Sequence, residues 1–397
     1  MSVSKSRHSR VADHIGRLPK SGIRDFFELV NTMDDVVSLG IGEPDFVTPW
    51  HIREATIYAL DKGHTSYTSN LGLLSLRKAL CHNAANLFGV SYDPDTECIV
   101  TVGVSEALDL LLRAILNPGE EVIYHEPCYV SYAPSIAMAH AQPVPVVTRE
   151  KNAFALDPAE VEAAVTPRTK AILLNFPNNP TGADLTLEQK TELARIAVEN
   201  DLIVIADEIY TELSYGERTR SLVALPGMRE RTVLLHGFSK AYAMTGFRLG
   251  YACGPHELID AMMKVHQYTM LCASIIAQEA GLEALANGRE PMIAMREEYR
   301  QRRNVIVKRL NELGLRCHLP RGAFYVFPRI ADTGLSSEEF ARRLLADQNV
   351  AVVPGTAFGA SGEGFVRCSY AASLEEIELA MSRIGRFLDS IGYQPAD

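Results

Sequence analysis

Between about residues 98 and 255 the chain alternates short apolar runs with amphipathic stretches, and this pattern constrains the fold most strongly. Several runs are rich in Val and Ile and apolar on both faces, which is typical of strands covered by helices on either side. Strands are predicted at 98–102, 121–125, 143–147, 170–176, 202–208, 232–236 and 249–253. Helices are predicted at 106–116, 130–139, 158–165 and 187–200. The pattern therefore predicts an α/β fold with a mostly parallel seven-stranded sheet between helices.

The two flanks of this region have a different character. Residues 1–48 contain a helical pattern at 23–33 and an extended stretch rich in Gly and Pro. A strongly charged helical stretch at 288–312 leads into a second pattern of short strands and helices. The strands there are expected near 324–328, 350–353 and 365–369, and the helices at 336–346 and 373–390. We therefore expect a large domain, 49–290, and a smaller α+β domain that combines 1–48 with 291–397.

The charge balance excludes two classes of partner. The 397 residues include 39 Lys and Arg against 49 Asp and Glu, a formal net charge of −10. Proteins that bind nucleic acid or anionic membranes need a basic face, so we expect neither partner. The sequence contains no run of about 18 apolar residues, so no membrane-spanning helix is predicted. The N-terminal stretch lacks the apolar segment of a secretory signal.

The cysteines give no sign of a metal site or a disulfide framework. Seven are present, an odd number, and they are scattered without a C-x-x-C pair. This usage is typical of a reducing compartment, and we expect a cytoplasmic protein without a bound metal.

Charged residues follow the ends of two predicted strands, where ligands of open α/β sheets bind. Asp207 ends the strand 202–208, and a buried acid there requires a cation nearby. Lys240 follows the strand 232–236 by one turn, where burial of its amine would lower its pKa and allow a Schiff base. Arg248 supplies a second cation. A surface turn at Asp207 and a solvated lysine remain the alternatives.

The turn after the first predicted strand has the character of an anion site. Val104 and Ser105 follow Gly103 there, and Ser105 is a candidate helix cap. Free N–H groups in the first turn of a helix bind phosphate, although an ordinary cap explains the sequence equally well. Neither G-x-G-x-x-G after a strand nor G-x-x-x-x-G-K-[ST] occurs, so the usual nucleotide-binding motifs are missing.

Two further residues complete the set at this edge. Asn179 lies in an Asn-Pro-Thr-Gly turn after the strand 170–176, and Tyr129 follows the strand 121–125. A turn residue and a core aromatic are the simple interpretations. Together, however, the residues supply an amine, an acid, a phosphate turn and a flat ring. Pyridoxal 5'-phosphate (PLP) requires such a set.

The chain resembles the class I aminotransferases, PLP enzymes of fold type I, over nearly its whole length. The segments that carry the resemblance are GIGEPDFVTP (40–49), YTSNLGLLSLR (67–77), NFPNNPTG (175–182), ADEIY (206–210), FSKAYAMTGFRLGY (238–251), VVPGTAFG (352–359) and GFVRCSYA (364–371). Within the family it is most similar to the broad aromatic-type and the N-acetyl-diaminopimelate aminotransferases.

The resemblance implies roles around the cofactor ring. Lys240 matches the Schiff-base lysine, which is also the general base. Asp207 matches the partner of the pyridine nitrogen. Tyr210 and Asn179 match the two donors to the ring's phenolic oxygen, and Tyr129 matches the aromatic ring that stacks on the cofactor.

The resemblance also implies how the phosphate and the substrate are bound. Val104, Ser105 and Arg248 match the phosphate-binding residues. Arg367 matches the arginine that binds the substrate carboxylate, with backbone help from Gly42 and a contact from Asn179. Tyr67 matches a tyrosine that reaches the phosphate of the neighbouring subunit, which implies a homodimer with shared active sites. Gly237 departs from the family, because some members carry a phosphate-binding serine there.

These implications give a specific expected reaction. The expected enzyme transfers the amino group of an aromatic or broad range of L-amino acids to a 2-oxo acid, 2-oxoglutarate by family analogy, in a ping-pong cycle. N-acetyl-diaminopimelate and aspartate are alternative donors, and a PLP lyase is the alternative from another reaction class. A PLP-fold transcriptional regulator is disfavoured because the sequence leaves no room for a DNA-binding domain. An NAD-dependent dehydrogenase is disfavoured because the glycine motif is missing.

Overall fold

A computed structural model describes residues 10–18, 35–216 and 220–395 of the chain. Its strands are β1 (Val37–Ser38), β2 (Cys98–Thr101), β3 (Glu121–Glu126), β4 (Gln142–Val147), β5 (Thr169–Asn175), β6 (Ile203–Asp207), β7 (Thr232–Gly237), β8 (Gly250–Cys253), β9 (Tyr325–Val326), β10 (Val350–Ala351), β11 (Val353–Pro354) and β12 (Val366–Ser369). Its α-helices span Asp13–Gly16, Trp50–Asp61, Leu74–Phe88, Gly103–Ile115, Tyr132–Met138, Pro158–Ala164, Leu187–Glu199, His256–Thr269, Ile275–Asn287, Arg289–Glu312, Ser337–Gln348 and Leu374–Ser390. The helix predicted at 23–33 lies outside the described residues.

The large sheet contains seven strands within the described ranges, in the order β2-β8-β7-β6-β5-β3-β4. The pairs β4–β3, β3–β5, β5–β6 and β6–β7 are parallel. Only β8 runs against its neighbours β2 and β7. The prediction of an α/β fold with a mostly parallel sheet is therefore confirmed. The predicted strands correspond to β2–β8, with ends that differ by no more than one residue.

Both faces of this sheet are buried, because alternate side chains of the same strand enter different cores. Ile123 and Ile172 pack with the helix Leu187–Glu199 on one face. Leu173 and Ile205 pack with the helix Gly103–Ile115 on the other. The apolar character of both faces of these strands follows from this double coverage.

The N-terminal part of the chain joins the C-terminal part. Val37 and Ser38 pair in parallel with Val350 and Ala351 of β10. Beside them, β11, β12 and β9 form a small antiparallel sheet. One core contains Leu39 together with residues of the last two helices, such as Leu344 and Phe387. These contacts suit a small domain built from both ends of the chain, and the boundaries at 48 and 290 stay a prediction.

No helix of the described residues is long and apolar enough to cross a membrane. The four helices Trp50–Asp61, Leu74–Phe88, His256–Thr269 and Ile275–Asn287 were not among the predicted elements. The helix after β2 begins at Gly103, three residues earlier than predicted. This early start matters for the site, because it puts the first turn of the helix directly at the end of β2.

Candidate active site

Lys240 lies in the turn after β7, at the carboxyl edge of the sheet. Its Nζ donates a hydrogen bond of 2.7 Å to the carbonyl oxygen of Gly42. Burial lowers the pKa of the Lys240 amine to about 8, and the positive charges of Arg367 and Arg248 act in the same direction. The negative charge of Asp207 opposes them. A substantial fraction of this lysine is therefore neutral, and nucleophilic, near neutral pH.

Asp207 ends β6 and is almost fully buried. Tyr132 donates its hydroxyl proton to Oδ2 over 2.7 Å, and the backbone N–H of Ile209 donates to Oδ1 over 3.2 Å. Burial raises the pKa of the Asp207 carboxyl to about 6, although the Tyr132 bond opposes the shift. The group is thus a fixed carboxylate at pH 7 that lacks a bonded cation among the described residues.

Arg367 of β12 is buried without a carboxylate partner in the described ranges. Its Nη1 donates to Oδ1 of Asn179 over 3.0 Å, and its Nη2 donates to the carbonyl oxygen of Gly40 over 2.6 Å. Its Nε has no hydrogen-bond partner there, and burial lowers its pKa. A buried guanidinium bonded only to neutral oxygens has a strong preference for an anion.

Gly42 lies directly beside this guanidinium. A Cβ at Gly42 would come within 2.9 Å of the Tyr325 hydroxyl oxygen and 3.7 Å of Arg367 Nη1 and Nη2. Glycine is therefore required if the backbone here is to approach a ligand of Arg367. Arg367, Gly42, Asn179 and Lys240 consequently form one continuous group of contacts, and the substrate-binding role of the first three stays a prediction.

The turn after β2 has free N–H groups and an adjacent cation. No side chain caps the helix Gly103–Ile115 at its N-cap, Val102. A Cβ at Gly103 would lie 2.6 Å from Nη2 of Arg248, so the guanidinium lies directly against this turn. The positive end of the helix dipole, the free amide N–H groups and the guanidinium together favour the binding of an anion. Val104 and Ser105 lie in the first helical turn.

Two details of this turn differ from expectation. Ser105 is not the helix cap, because the helix begins two residues before it and its side chain is exposed. The carboxylate of Glu106 instead accepts the N–H of Val102 over 2.6 Å. At Gly237, a Cβ would lie 2.9 Å from the Leu249 carbonyl oxygen and 3.0 Å from Val104 Cγ2. The chain therefore has no space for a serine there without a shift of this turn.

The tyrosines of the site divide into buried and exposed ones. The Tyr210 hydroxyl lies 3.1 Å from that of Tyr325, and both residues are buried. Tyr129 is 36% exposed, and its ring meets that of Tyr132 edge-on, with 5.7 Å between centroids. Tyr129 precedes the helix Tyr132–Met138 by three residues rather than beginning it. Tyr67 is 82% exposed and lies on the surface of the single chain.

Three residues of the site were not found from the sequence. Asn175 donates from Nδ2 to the backbone oxygen of Asp207 over 3.0 Å and accepts the N–H of Asn179 at Oδ1 over 3.2 Å. Its position at the end of β5, opposite Asp207 in the sheet register, was a usable signal. Tyr132 and Tyr325 carry no such signal, since they reach the site from separate segments.

Comparison with known proteins decides the family. The profile of the family "Aminotransferase class I and II" matches residues 34–384. This chain belongs to that family. The aminotransferase is 54% identical over 380 residues to a putative aminotransferase, YugH, of Bacillus subtilis, with 96% of this chain and 98% of that protein covered. Class I aminotransferases are known to use PLP.

Two further relatives carry names that specify a substrate. Aromatic-amino-acid aminotransferase 2 of Thermococcus litoralis is 44% identical over 381 residues, with 95% of this chain and 98% of that protein covered. The crystal structure of the Thermus thermophilus aspartate aminotransferase with maleate superimposes with a TM-score of 0.91 at 41% identity, covering 96% of this chain and all of the other. The fold of this aminotransferase is therefore that of solved enzymes of the family.

Proposed function

We propose that this aminotransferase binds PLP at the carboxyl edge of its sheet and transfers amino groups from L-amino acids to 2-oxo acids. The observation that carries the proposal is the position of Lys240. Burial lowers the pKa of its amine, and the positive charges of Arg367 and Arg248 act in the same direction. The negative charges of Glu43 and Asp207 oppose them. An amine, an acid and two cations at one sheet edge match the chemical groups of PLP and of an amino acid.

The residues present fit the cofactor. The N–H groups of Val104 and Ser105 and the guanidinium of Arg248 would hold the phosphate. Asp207 would keep the pyridine nitrogen protonated, because a fixed carboxylate favours the charged form of its partner. Asn179 and Tyr210 would donate to the phenolic oxygen, and Tyr129 would stack on the ring.

Within this arrangement the chain's own groups perform binding and proton transfer. The bound cofactor supplies an electron-accepting ring that stabilises negative charge at the substrate Cα. Arg367 orients the α-carboxylate by two N–H donors, which fixes the Cα–H bond relative to Lys240. Lys240 removes the Cα proton and returns it to another carbon, which requires a neutral amine. Asn179 holds Arg367 in place through the 3.0 Å bond to Oδ1.

The surroundings of Arg367 favour an aromatic or otherwise apolar amino donor. Its guanidinium carbon lies 4.5 Å from the centroid of the Tyr325 ring and 4.8 Å from that of Phe358. Two cations influence Lys240. Arg367 would bind the α-carboxylate of the substrate, and Arg248 would bind the phosphate of the cofactor. Aspartate and N-acetyl-diaminopimelate, named for relatives, are the alternative donors, and 2-oxoglutarate is the proposed acceptor.

We extend the proposal to a homodimer in the cytoplasm. Tyr67 and Tyr268 are 82% and 87% exposed, which is unusual for side chains of this size. Their segments are joined, because Asn70 Nδ2 donates to the Leu271 carbonyl oxygen over 2.7 Å. An exposed aromatic surface of this kind suits a contact with a second copy. Seven unpaired cysteines suit a reducing compartment.

A panel of amino donors with 2-oxoglutarate tests the proposed function. Phenylalanine, tyrosine, aspartate, alanine and N-acetyl-diaminopimelate are compared by glutamate formation, for the wild type and Lys240→Ala. We expect fastest turnover with an aromatic donor and loss of activity in the variant. Release of ammonia and a 2-oxo acid without glutamate would indicate the lyase instead. Fastest turnover with aspartate would reverse the proposed donor preference.

A further inference from the structure

Three cysteines that are far apart in the sequence meet inside the protein. Cys81 belongs to the helix Leu74–Phe88, Cys98 begins β2 and Cys253 ends β8. Their sulfur atoms all lie within 4.8 Å of one another. Cys98 and Cys253 face each other across the antiparallel β2–β8 pair. The cluster therefore lies at the opposite end of β2 from the Gly103 turn, and no step of the proposed reaction uses it.

We propose that Cys81, Cys98 and Cys253 bind one soft divalent metal ion of the zinc and cadmium type. Thiolate sulfur is a preferred ligand of such ions. A metal–sulfur distance of about 2.3 Å in a tetrahedral site separates the sulfurs by about 3.8 Å. The three sulfurs thus need shifts of about 1 Å or less to reach ligand distance. A scattered set of cysteines offers this site only after folding, because three separate elements contribute one ligand each.

The local charge suits an ion of charge two. Three thiolates with a divalent ion carry one net negative charge, and burial of that charge requires a cation. Arg77 is buried and donates only to carbonyl oxygens, those of Gly72 and Pro94, within the described ranges. Arg77 belongs to the same helix as Cys81, one turn before it, so a positive charge is available beside the group.

Two buried tyrosines can complete the surroundings of the ion. The hydroxyl oxygens of Tyr92 and Tyr251 are buried and have no hydrogen-bond partner in the part of the chain that the structure describes. Metal-bound thiolates accept hydrogen bonds from such neighbours, which stabilise the site. Both tyrosines belong to the core cluster that contains the three cysteines, so the proposed thiolates are candidate acceptors for hydroxyls that are costly when unsatisfied.

The binding step needs no oxidant. One ion forms three metal–sulfur bonds and displaces the thiol protons to solvent, and no electron is transferred. Cys81 is 6% exposed, whereas Cys98 and Cys253 are fully buried. The ion therefore enters past Cys81. Binding should strengthen with rising pH, because fewer protons remain to be displaced.

Titration of the holoenzyme with Cd²⁺ tests the site directly. Sulfur-to-cadmium charge-transfer absorption and calorimetry report the stoichiometry and affinity. We expect one ion per chain, displaced by excess Zn²⁺ at a higher concentration. Cys81→Ser and Cys253→Ala should lose this binding by at least a hundredfold in Kd. Cys272→Ala and Cys317→Ala, outside the cluster, should retain it.

Three outcomes of the titration overturn the proposal. These are the absence of stoichiometric binding, retention of binding in both cluster variants, and its loss in the variants at 272 or 317. Aminotransferase activity and circular dichroism of each variant establish that it folds, and Cys81→Ser provides the mildest change because Cys81 lies at the edge of the core. A count of free thiols in the unfolded wild type should give all seven. A disulfide between Cys98 and Cys253 would contradict the proposed site.

Discussion

Lys240 Nζ and the carbonyl oxygen of Gly42 are joined by a hydrogen bond of 2.7 Å across 198 residues of sequence. The bond connects the turn after β7 to the segment just beyond β1, which pairs with β10. The same segment supplies the carbonyl oxygen of Gly40 to Arg367. The N-terminal segment therefore contacts both the candidate nucleophile and the candidate carboxylate-binding residue. Movement of this segment would change the surroundings of both residues together.

The lowered pKa of Lys240 predicts the pH dependence of cofactor attachment. Only the neutral amine attacks an aldehyde, so the rate of PLP incorporation into the apoenzyme should rise with pH through about 8. Glu43 raises this pKa by its negative charge. Glu43→Gln should therefore shift the midpoint of the rate profile to lower pH. Stopped-flow absorbance measures both profiles.

A matched change elsewhere provides the control for this shift. Glu54 is exposed on the helix Trp50–Asp61, and Glu54→Gln removes the same charge from the protein. This variant should keep the wild-type midpoint. An equal shift in both variants would mean that net charge, rather than proximity to Lys240, determines the profile.

The raised pKa of Asp207 predicts a stability gain on its neutralisation. Burial raises this pKa to about 6 in the folded protein from 3.8. The folded state thus binds a proton more tightly than the unfolded state, so the fold loses stability as pH rises from about 4 to 6. Above pH 6 the free energy of unfolding is lower by at most about 3 kcal/mol. Asp207→Asn should restore much of this stability in the cofactor-free protein at pH 8. The same variant should lose transamination activity.

Urea unfolding of the cofactor-free protein at pH 8 and pH 3 checks this prediction. Below the unfolded-state pKa the wild-type carboxyl is protonated in both states, so the advantage of the Asn variant should disappear there. Asp95 is exposed, and Asp95→Asn should leave the free energy of unfolding unchanged at both pH values. A less stable Asp207→Asn protein at pH 8 would show that the hydrogen bonds of the carboxylate outweigh its burial.

Arg367 should control the KM of both substrates, because an amino acid and a 2-oxo acid share the α-carboxylate. Arg367→Lys keeps the charge but loses the two-pronged geometry, so we expect KM to rise by roughly ten- to a hundredfold. Asn179→Ala should raise KM less, since the guanidinium keeps its charge and its donors and loses only the 3.0 Å bond that now holds it. Steady-state kinetics with both substrates measures these effects.

The same substitution at an arginine outside the site shows whether the effect on KM depends on the position of Arg367. Arg383 donates to the backbone oxygen and the carboxylate of Asp35, and Arg383→Lys should leave KM unchanged. If Arg367→Lys raised KM for only one of the two substrates, this result would contradict a shared carboxylate site.

The sequence predicts those residues of the site that lie at or just after the end of a single strand. Asp207 and Lys240 follow buried strands directly, and the parallel order of β6 and β7 brings them to one edge. Ser105 was predicted as a cap, and this was wrong, because the helix begins at Gly103. Local propensity does not fix the start of this helix, because Glu106 accepts the N–H of Val102, the residue before the helix, and leaves the N–H groups of the first turn free.

The remaining parts depend on contacts between distant segments. Tyr132 reaches Asp207 over 75 residues of sequence, and Tyr325 meets Tyr210 over 115. The cysteines at 81, 98 and 253 likewise come together only through the pairing of β2 with β8 and the packing of the helix Leu74–Phe88 against them. Spacing rules find ligands within one motif, so they miss such groups.

Gly103 should determine the affinity for PLP through Arg248. Gly103 has φ +76°, and a Cβ there would lie 2.6 Å from Arg248 Nη2. Gly103→Ala should therefore displace the guanidinium from the phosphate turn. A charge-assisted hydrogen bond contributes about 1.5–3 kcal/mol, so the Kd for PLP should rise at least tenfold. Equilibrium titration of the apoenzyme, followed by cofactor fluorescence, measures it.

Gly119 distinguishes this effect from backbone strain. It also has a positive φ, +88°, but nothing lies within 4 Å of a Cβ there. An alanine at either position costs about 1–2 kcal/mol of stability, because a left-handed conformation strains a residue with a Cβ. Gly119→Ala should consequently share the loss of stability and retain the wild-type Kd. If Gly103→Ala also retained that Kd, Arg248 would not be a phosphate ligand, and the anion would be held by the amides of the turn alone.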